Sequence, residues 1–398
     1  MNAPSTSSDP ALAGLGRRTI GAYAGTEPGR LVMVVCGIHG NEPAGVRAAE
    51  AVLEKLERKR LPLRGELIAL AGNLGALALG RRFIQKDLNR MWTRDRVAAL
   101  ETLGSELVSR GMYVEDREQL EMWQVIRPAL ARSTEAAILL DLHTSSAEGP
   151  PFATMGDTLR NRSFVTQLPI PVILGLEEQI DGALLEYVNN LGHVTIGVEA
   201  GQHDQPSTVW RHEAILWLSL IAAGSLREED VPEAQAHREE LKRATAGIPR
   251  IVEMRYRYAI HEKDGFAMKP GFRNFDPVMK KDVVATDING SVLVREKGLI
   301  LLPLYQALGD DGFFLGREVA PVWLKVSAML RCLGVPSLPR LLPGVHRHPR
   351  EEGTLIIDTR IARLFPLELF HLLGYRKKRW RGRYLVVSRR RESLGSGI

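Results

Sequence analysis

The sequence lacks the features of several large protein classes. It has two cysteines, Cys36 and Cys332, in a chain of 398 residues, and this count excludes a disulfide framework. No apolar run reaches the roughly 18 residues that cross a bilayer, so we expect no membrane span. Residues 1–9 lack the basic start and apolar core of a signal peptide and are typical of a frayed tail. Together these absences predict a cytoplasmic protein.

Several well-known catalytic motifs are also missing. The chain has no H-E-x-x-H, no G-x-S-x-G, no P-loop and no G-x-G-x-x-G after a strand. These absences argue against the metalloproteases, serine hydrolases and nucleotide-binding proteins that carry those motifs. Any chemistry must therefore depend on other residues.

Positive charge is in excess and is concentrated near the end of the chain. The formal net charge is +6, and residues 376–383 and 388–391 hold much of the excess. A basic segment can bind nucleic acid or acidic lipid, but a solvated positive surface is the simpler interpretation. We therefore expect no nucleic-acid partner, and we leave open whether the protein forms a homo-oligomer.

Short apolar runs without strict alternation predict strands that are covered on both faces, as in parallel sheets. These runs are residues 31–36, 66–71, 137–142 and 194–198. Apolar residues at helical spacing lie between them, for example after Pro43. Strands that alternate with helices predict an α/β fold, with a mixed or parallel sheet flanked by helices.

Changes in composition divide the chain into segments. We predict a tail and lead-in over residues 1–29, a catalytic domain over 30–247, a small all-β domain over 248–318 and a basic C-terminal extension of unknown role over 319–398. The all-β prediction depends on alternating apolar residues and on turn signals. Asn289-Gly290, between two valine-rich runs, predicts a hairpin.

Three residues at the ends of apolar strands could hold a metal ion. His39 and Glu42 lie in the turn Gly37-Ile38-His39-Gly40-Asn41-Glu42, and His143 ends the next motif, Asp141-Leu142-His143. Catalytic zinc sites use three protein ligands of these types and leave one position open for water. The alternative is that His39 and Glu42 cap the following helix. Because His143 ends a second strand, and sites collect at the carboxyl ends of strands, we predict the metal site.

A further carboxylate follows the strand at residues 194–198. Glu199, in Val198-Glu199-Ala200-Gly201, could act as a general base and then donate a proton to a leaving amine. An ion pair with a nearby arginine is an equally good interpretation of the sequence.

The segment Asp87-Leu88-Asn89-Arg90, preceded by Arg82, forms another polar cluster. Asn89 and Arg90 could hold a substrate carboxylate, since guanidinium groups match carboxylates in shape. Asp87 could accept a hydrogen bond from a zinc-binding histidine and fix its tautomer. The alternative is that the arginines are surface charges and that Asp87 and Asn89 cap a helix.

Taken in order, these motifs resemble the succinylglutamate desuccinylase/aspartoacylase family, a branch of the zinc carboxypeptidase-like hydrolases. The resemblance extends over roughly residues 30–318, because the segments around Lys269-Pro270-Gly271 and residues 302–314 are similar to the family's β-domain. It implies a zinc carboxypeptidase-like α/β fold followed by a small all-β domain. It also implies that His39, Glu42 and His143 bind Zn²⁺ and that Asp87 contacts a zinc histidine.

The resemblance further implies that Glu199 is the catalytic base and that Arg82 stabilises the oxyanion. Asn89 and Arg90 would hold the carboxylate of the substrate. The implied activity is hydrolysis of the amide bond in an N-acylated amino acid or similar small carboxylate. Two alternatives are a small-peptide metallocarboxypeptidase and a non-catalytic binding protein with a vestigial pocket.

The sequence departs from the family at two places. Aspartoacylases carry an additional arginine shortly before the catalytic glutamate, where this chain has Tyr187-Val188-Asn189-Asn190. They also use a tyrosine from the β-domain, for which Tyr305, Phe313 and Phe314 are the candidates here. These departures argue against N-acetylaspartate as the substrate.

Overall fold

The fold is described from a computed structural model. It describes residues 17–104, 106, 113–306, 308–333, 335, 339, 341–349, 353–358, 360–361 and 367–390. Within these ranges, no helix combines the length and the apolarity that crossing a membrane requires.

A mixed sheet of eleven strands organises the described part of the chain. In spatial order its strands are β1 (Thr19–Ala24), β3 (Arg64–Ala71), β2 (Glu27–Cys36), β4 (Ile138–Ser145), β7 (Val194–Gln202), β5 (Phe152–Met155), β6 (Val172–Leu174), β8 (Ile251–Ala259), β14 (Asp311–Glu318), β13 (Gly298–Leu301) and β10 (Pro277–Val278).

Helices connect and cover these strands. They are α1 (Ala44–Lys59), α2 (Leu74–Leu79), α3 (Arg94–Leu103), α4 (Val114–Arg132), α5 (Leu159–Val165), α6 (Leu184–Asn190), α7 (Pro206–Ala222), α8 (Ala234–Ala244), α9 (Pro321–Cys332) and α10 (Leu367–Leu372). Short 3-10 helices span Leu88–Arg90, Glu228–Asp230 and Glu262–Asp264.

The centre of the sheet is parallel and buried on both faces, as the apolar runs predicted. Strands β3, β2, β4 and β7 run parallel to one another. Along β2, alternate residues enter two separate cores: Val32 and Val34 pack with α1 and α7, whereas Met33 and Val35 pack with α4 and α6. The α/β prediction is therefore confirmed. The antiparallel edge strand β1 was not predicted, and it lies in the segment that we interpreted as a lead-in.

The predicted all-β segment is joined to the same sheet. Strand β8 pairs in parallel with β6, and β14 and β13 continue the sheet in antiparallel order. Strand β10 pairs with β13 at the edge of that sheet. A separate three-stranded sheet contains β9 (Ala267–Met268), β11 (Val283–Asp287) and β12 (Gly290–Leu293). The expected boundary between residues 247 and 248 thus falls within one continuous sheet, and the division into domains stays a prediction.

The hairpin expected at Asn289-Gly290 is present. Strands β11 and β12 pair antiparallel, with Asp287 opposite Gly290. Gly290 has a φ of 108°, a conformation that favours glycine. The turn residues are thus Ile288 and Asn289, and the glycine opens the second strand.

The C-terminal extension has a core of its own. Its four strands are β15 (Val345–Arg347), β16 (Thr354–Asp358), β17 (Tyr375–Arg381) and β18 (Tyr384–Arg389), arranged in the order β15-β16-β18-β17. Val345, Ile357 and Phe370 are among the buried residues of this core.

Candidate active site

The turn between β2 and α1 carries the first two residues of the site. This turn requires glycine at two positions. Gly37 has a φ of 64°, in the left-handed region. At Gly40 an added Cβ would lie 2.0 Å from the carbonyl carbon of Ala76 in α2, so only a residue without a side chain fits. These constraints hold His39 and Glu42 at the carboxyl end of β2.

The structure brings His39, Glu42 and His143 together. One ligand atom from each lies within 4.8 Å of the others. Glu42 lies between the two rings: its Oε1 is 3.0 Å from His39 Nδ1, and its Oε2 is 3.0 Å from His143 Nδ1. The backbone N–H of Thr144 also donates to Glu42 Oε2 at 3.0 Å. The carboxylate is directed toward this cluster, which favours the metal-site interpretation over helix capping.

The second ring nitrogen of each histidine faces another carboxylate. His39 Nε2 lies 3.2 Å from Asp87 Oδ1, and His143 Nε2 lies 2.9 Å from Asp141 Oδ2. Such contacts fix the tautomer and leave Nδ1 for a metal. Asp141 was missed as a functional residue, although its position two residues before His143 in a strand places both side chains on the same face.

The charges of this cluster perturb one another strongly. Burial would raise the pKa of Glu42, but His39 and His143 hold that pKa well below its usual value. Burial would lower the pKa of His143, yet Asp141 and Glu42 raise that pKa well above 6.5. Burial would also raise the pKa of Asp87, but His39 and Arg82 hold that pKa well below its usual value. The carboxylates of Glu42 and Asp87 are therefore held in their ionised form beside the two rings.

The Asp87–Arg90 segment has both of the roles that the sequence allows, because Asp87 caps a helix and also contacts a histidine of the site. Asp87 caps the short 3-10 helix by accepting a hydrogen bond from the Asn89 N–H at 2.9 Å, and it also faces His39. Arg82 is not a surface charge: its side chain is 15% exposed, and Nη2 lies 3.2 Å from Asp87 Oδ2. Asn89 Oδ1 accepts a hydrogen bond from Leu184 N.

Glu199 stands beside the cluster on the neighbouring strand. The register of β4 and β7 places it directly opposite His143. Burial raises its pKa to about 7. Its Oε2 has no hydrogen-bond partner, and the described residues contain no cation within ion-pair distance of it. The ion-pair interpretation of Glu199 is therefore not supported.

A cavity of about 140 Å³ opens onto these residues. Its lining includes every predicted metal, catalytic and substrate-binding residue: His39, Glu42, Arg82, Asn89, Arg90, His143 and Glu199. Of the aromatic candidates, Phe314 lines this cavity. Phe313 instead stacks on Tyr258 in the β core, and the Tyr305 hydroxyl donates to the backbone oxygen of Lys269.

The cavity also exposes acidic residues that the sequence did not indicate. Glu177 lines it after the three-residue strand β6, and Asp311 lies 3.8 Å from Arg90 at the start of β14. The β6 run was too short to recognise as a strand. The two glutamates that follow this strand, in Leu176-Glu177-Glu178, are the sequence feature that could have indicated a site residue.

The residues of the cluster fit a divalent metal ion. Two imidazoles and one carboxylate, close enough to share an ion, are a donor set of catalytic zinc sites. The contacts of Asp87 and Asp141 with the outer nitrogens complete the arrangement that such sites use. The described residues thus contain a cluster that could bind a metal.

Known proteins match this chain in sequence over part of its length. Residues 28–223 match the model of the succinylglutamate desuccinylase/aspartoacylase catalytic domain. The succinylglutamate desuccinylase of Erwinia tasmaniensis is 43% identical over 63 residues, which are 16% of this chain and 19% of that protein. That of Pseudomonas putida is 29% identical over 114 residues, covering 29% of this chain and 30% of the relative. These matches span less than a third of each relative's length.

Solved structures share the fold over a longer stretch. A succinylglutamate desuccinylase/aspartoacylase from Rhodobacter sphaeroides superposes with a TM-score of 0.54 at 18% identity, covering 76% of this chain and 88% of that chain. The ectoine utilization protein EutE (DoeB) from Ruegeria pomeroyi gives 0.53 at 20% identity, covering 74% and 87%. Residues 28–223 thus match the catalytic domain of the succinylglutamate desuccinylase/aspartoacylase family in sequence, and the solved structures show that the fold is shared.

Proposed function

We propose that this protein is a zinc-dependent hydrolase that cleaves the amide bond of an N-acylated amino acid or a similar small carboxylate. The observation that carries the proposal is the convergence of His39, Glu42 and His143 beside the unpartnered carboxylate of Glu199. When bound, a zinc ion would stabilise negative charge on the amide oxygen and activate a water molecule for attack. The family is one of deacylases, which supports the same reaction class.

His39, Glu42 and His143 would hold the ion through the atoms that already face one another. Asp87 and Asp141 would keep the outer nitrogen of each ring protonated. With the ion bound, both imidazoles would be neutral, and each Nδ1 would be the atom available to the metal.

Glu199 would act as the general base. It removes a proton from the attacking water, whose oxygen bonds to the acyl carbon. It then donates that proton to the nitrogen of the leaving amine as the C–N bond breaks. A group whose pKa lies near 7 can perform both transfers at neutral pH.

Arg82, Asn89 and Arg90 would position the substrate. The guanidinium of Arg82, close to Glu42 and Asp87, would stabilise the negative charge that develops on the amide oxygen. Asn89 and Arg90 would hold the substrate carboxylate. Because Asn89 Oδ1 accepts from Leu184 N, its amide nitrogen is the group that it can offer.

The size of the cavity favours a small substrate. A volume of about 140 Å³ is below the roughly 300–1,000 Å³ of typical ligand clefts. This observation favours an acyl amino acid over the peptide of the alternative, a small-peptide metallocarboxypeptidase. The other alternative, a binding protein with a vestigial pocket, is disfavoured by the complete set of candidate ligands. A cytoplasmic location and the oligomeric state stay predictions.

Elemental analysis and hydrolysis assays test the proposal together. We expect about one zinc ion per chain at the high-affinity site, hydrolysis of N-acyl amino acids in preference to short peptides, and loss of activity on chelation. Glu199→Gln should give a folded, zinc-loaded and nearly inactive protein. Purified protein that binds no metal, or a Glu199→Gln variant that keeps substantial turnover, would contradict the proposal.

A further inference from the structure

We propose that Glu177 and Thr154 form an ammonium-binding floor in the cavity, which selects substrates carrying an aliphatic chain that ends in a primary amine. This inference deepens the proposed function and rests on it. It names the substrate class: N-acyl amides with an ω-amino group on the acyl or the amine side.

The register of three strands, together with one hydrogen bond, places Glu177 beside the row of residues that precedes Glu199 on the same face of the sheet. In one row across β4, β7 and β5, Asp141, Gly197 and Thr154 are neighbours. Gly197 has no side chain, and an added Cβ would lie 2.4 Å from Thr154 Oγ1 and 3.7 Å from Glu177 Oε1. Leu185 Cδ1 would lie 3.2 Å from the same Cβ, so Thr154, Leu185 and Glu177 together fill the space next to Gly197.

The distance from this floor to the catalytic row suits a short chain. Glu199 lies two residues after Gly197 on β7, so both positions face the same side of the sheet. At a rise of roughly 3.3 Å per residue, the two rows are about 7 Å apart. With the reacting amide at one end and the ammonium nitrogen at the other, an extended chain of three or four carbons covers most of this distance. Leu176, Ile180 and Leu185, which line the same cavity, give that chain apolar surroundings.

Glu177 is a buried acid with no cation within ion-pair distance of its carboxylate. Burial raises its pKa to about 7, although the nearby charge of Arg390 acts in the opposite direction. The residue is 6% exposed, and Thr154 Oγ1 donates a hydrogen bond to its Oε1 at 2.9 Å. Among the described residues, no arginine, lysine or histidine lies within ion-pair distance of this carboxylate. The nearby guanidinium of Arg390 instead lies 3.4 Å from the carboxylate of Glu178 and 3.4 Å from the backbone oxygen of Glu177.

A ligand ammonium would supply the missing charge. Burying a carboxylate without a partner is costly, whereas an ammonium between Glu177 and the Thr154 hydroxyl would have a charged and a polar neighbour. A second substrate carboxylate at this depth would lie beside the carboxylate of Glu177, and its like charge would be unfavourable. The cavity's arginine outside the metal cluster, Arg90, already lies 3.8 Å from Asp311.

Matched substrates test the inference. On the amine side, Nα-acetylornithine is compared with N-acetylnorleucine, in which a methyl group replaces the ammonium, and with N-acetylglutamate. On the acyl side, 4-aminobutyryl-glycine is compared with pentanoyl-glycine. For the zinc-loaded wild-type protein, we expect kcat/KM to favour the ammonium member of at least one pair by about tenfold to a hundredfold, the size of a charged hydrogen bond.

The variant Glu177→Gln should reduce that ratio to about one, because the amide keeps the shape but loses the charge. The matched control is Glu148→Gln, the same change at a half-exposed glutamate, and it should leave the ratio as in the wild type. Equal kcat/KM for both members of each pair in the wild type, or a ratio that Glu177→Gln does not change, would overturn the inference.

Binding measurements separate this inference from the proposed reaction. Calorimetry with zinc-loaded Glu199→Gln, and with Glu199→Gln/Glu177→Gln, uses the same five compounds and needs no turnover. Tighter binding of an ammonium compound to the first protein alone supports the floor, even if no compound is hydrolysed. Equal affinities for the two proteins would refute the floor, even if the deacylase activity is real.

Discussion

At the scale of single residues, each histidine of the site lies between two carboxylates. Glu42 contacts both Nδ1 atoms, while Asp87 and Asp141 contact one Nε2 atom each. A histidine held in this way cannot rotate its ring or exchange its tautomer freely. The outer aspartates should therefore matter for metal affinity although they would not contact the metal.

Asp141→Asn tests this expectation with a change of one atom. The amide can donate a hydrogen bond and lacks the charge that holds the His143 proton, so we expect zinc affinity to fall about 10- to 100-fold. Competition with a chromophoric chelator measures the affinity. Asp95→Asn, at an exposed position in the first turn of α3, is the control and should bind zinc as the wild type does. Unchanged affinity in Asp141→Asn would show that the contact has no such role.

Arg82→Ala should lower kcat about 100-fold or more while zinc stays bound, because one donor to the developing oxyanion is lost. Steady-state kinetics and metal analysis of the same preparation measure the two quantities. The adjacent Arg81 is exposed, and Arg81→Ala should keep wild-type kinetics. Full activity in Arg82→Ala would remove this residue from the reaction.

His193 makes stability depend on pH. Burial and the nearby Arg160 lower its pKa from 6.5 to about 4, and its Nδ1 accepts a hydrogen bond from Ala137 N. Between pH 6.5 and 4 the unfolded chain thus binds more protons than the folded protein at this site, and stability falls as the pH falls. The contribution of neutral His193 to the unfolding free energy is therefore fully present above pH 6.5.

His193→Asn keeps an acceptor for the Ala137 N–H and removes the titrating ring. Allowing for partial solvent screening, we expect the loss of unfolding free energy between pH 7 and pH 5 to be smaller by about 1–2 kcal/mol in this variant. Urea unfolding at the two pH values measures it. An identical loss in both proteins would show that His193 does not contribute to the acid sensitivity.

At the scale of secondary-structure elements, the position of the site could be predicted because its residues follow strongly apolar strands. Strands β2, β4 and β7 are long and buried, so their ends were recognisable, and parallel pairing brings those ends to one edge. Glu177 follows a strand of three residues, which has no usable periodicity. The continuation of the sheet through β8 and β14 depends on long-range pairing that local patterns do not encode.

The glycines of the first turn permit a further prediction at this scale. Gly40→Ala should displace the turn from α2, since the new Cβ would lie 2.0 Å from the Ala76 carbonyl carbon. We expect a loss of about 1–3 kcal/mol in stability and weaker zinc binding. Gly80→Ala is the control: its φ is 58°, and nothing lies within 4 Å of the added Cβ. It should lose about 1 kcal/mol through backbone strain alone, with zinc affinity unchanged.

At the scale of the whole molecule, the described part of residues 319–398 is held to the rest of the described chain by buried charges. Arg331 of α9 donates to the backbone oxygen of Asp157 at 2.7 Å, and both side chains are 1% exposed. His371 Nδ1 lies 2.9 Å from Glu253 Oε1. Arg390, for which the sequence predicts a solvated positive surface, is instead buried against Glu178. The solvated-surface interpretation is thus wrong for this residue, while residues 391–398 lie outside the described ranges.

These contacts reach the wall of the cavity. The Asp157 N–H donates to Glu178 Oε1 at 3.0 Å, and Glu178 adjoins Glu177 in sequence. The segment that carries Glu177 is therefore fixed partly by residues of the extension. Loosening the extension should alter substrate binding more than the chemical step.

Arg331→Met, which keeps the length of the side chain but removes the donors, tests this coupling. We expect a loss of about 1–3 kcal/mol, because Asp157 loses a buried partner but keeps Arg162, whose Nη2 lies 2.9 Å from its Oδ2. Limited proteolysis should cut faster near α9, and KM should rise while kcat changes little. Arg383→Met, at a half-exposed arginine of the same C-terminal sheet, should leave both readouts as in the wild type. If Arg331→Met shows wild-type proteolysis and KM, the extension does not support the substrate pocket through this contact.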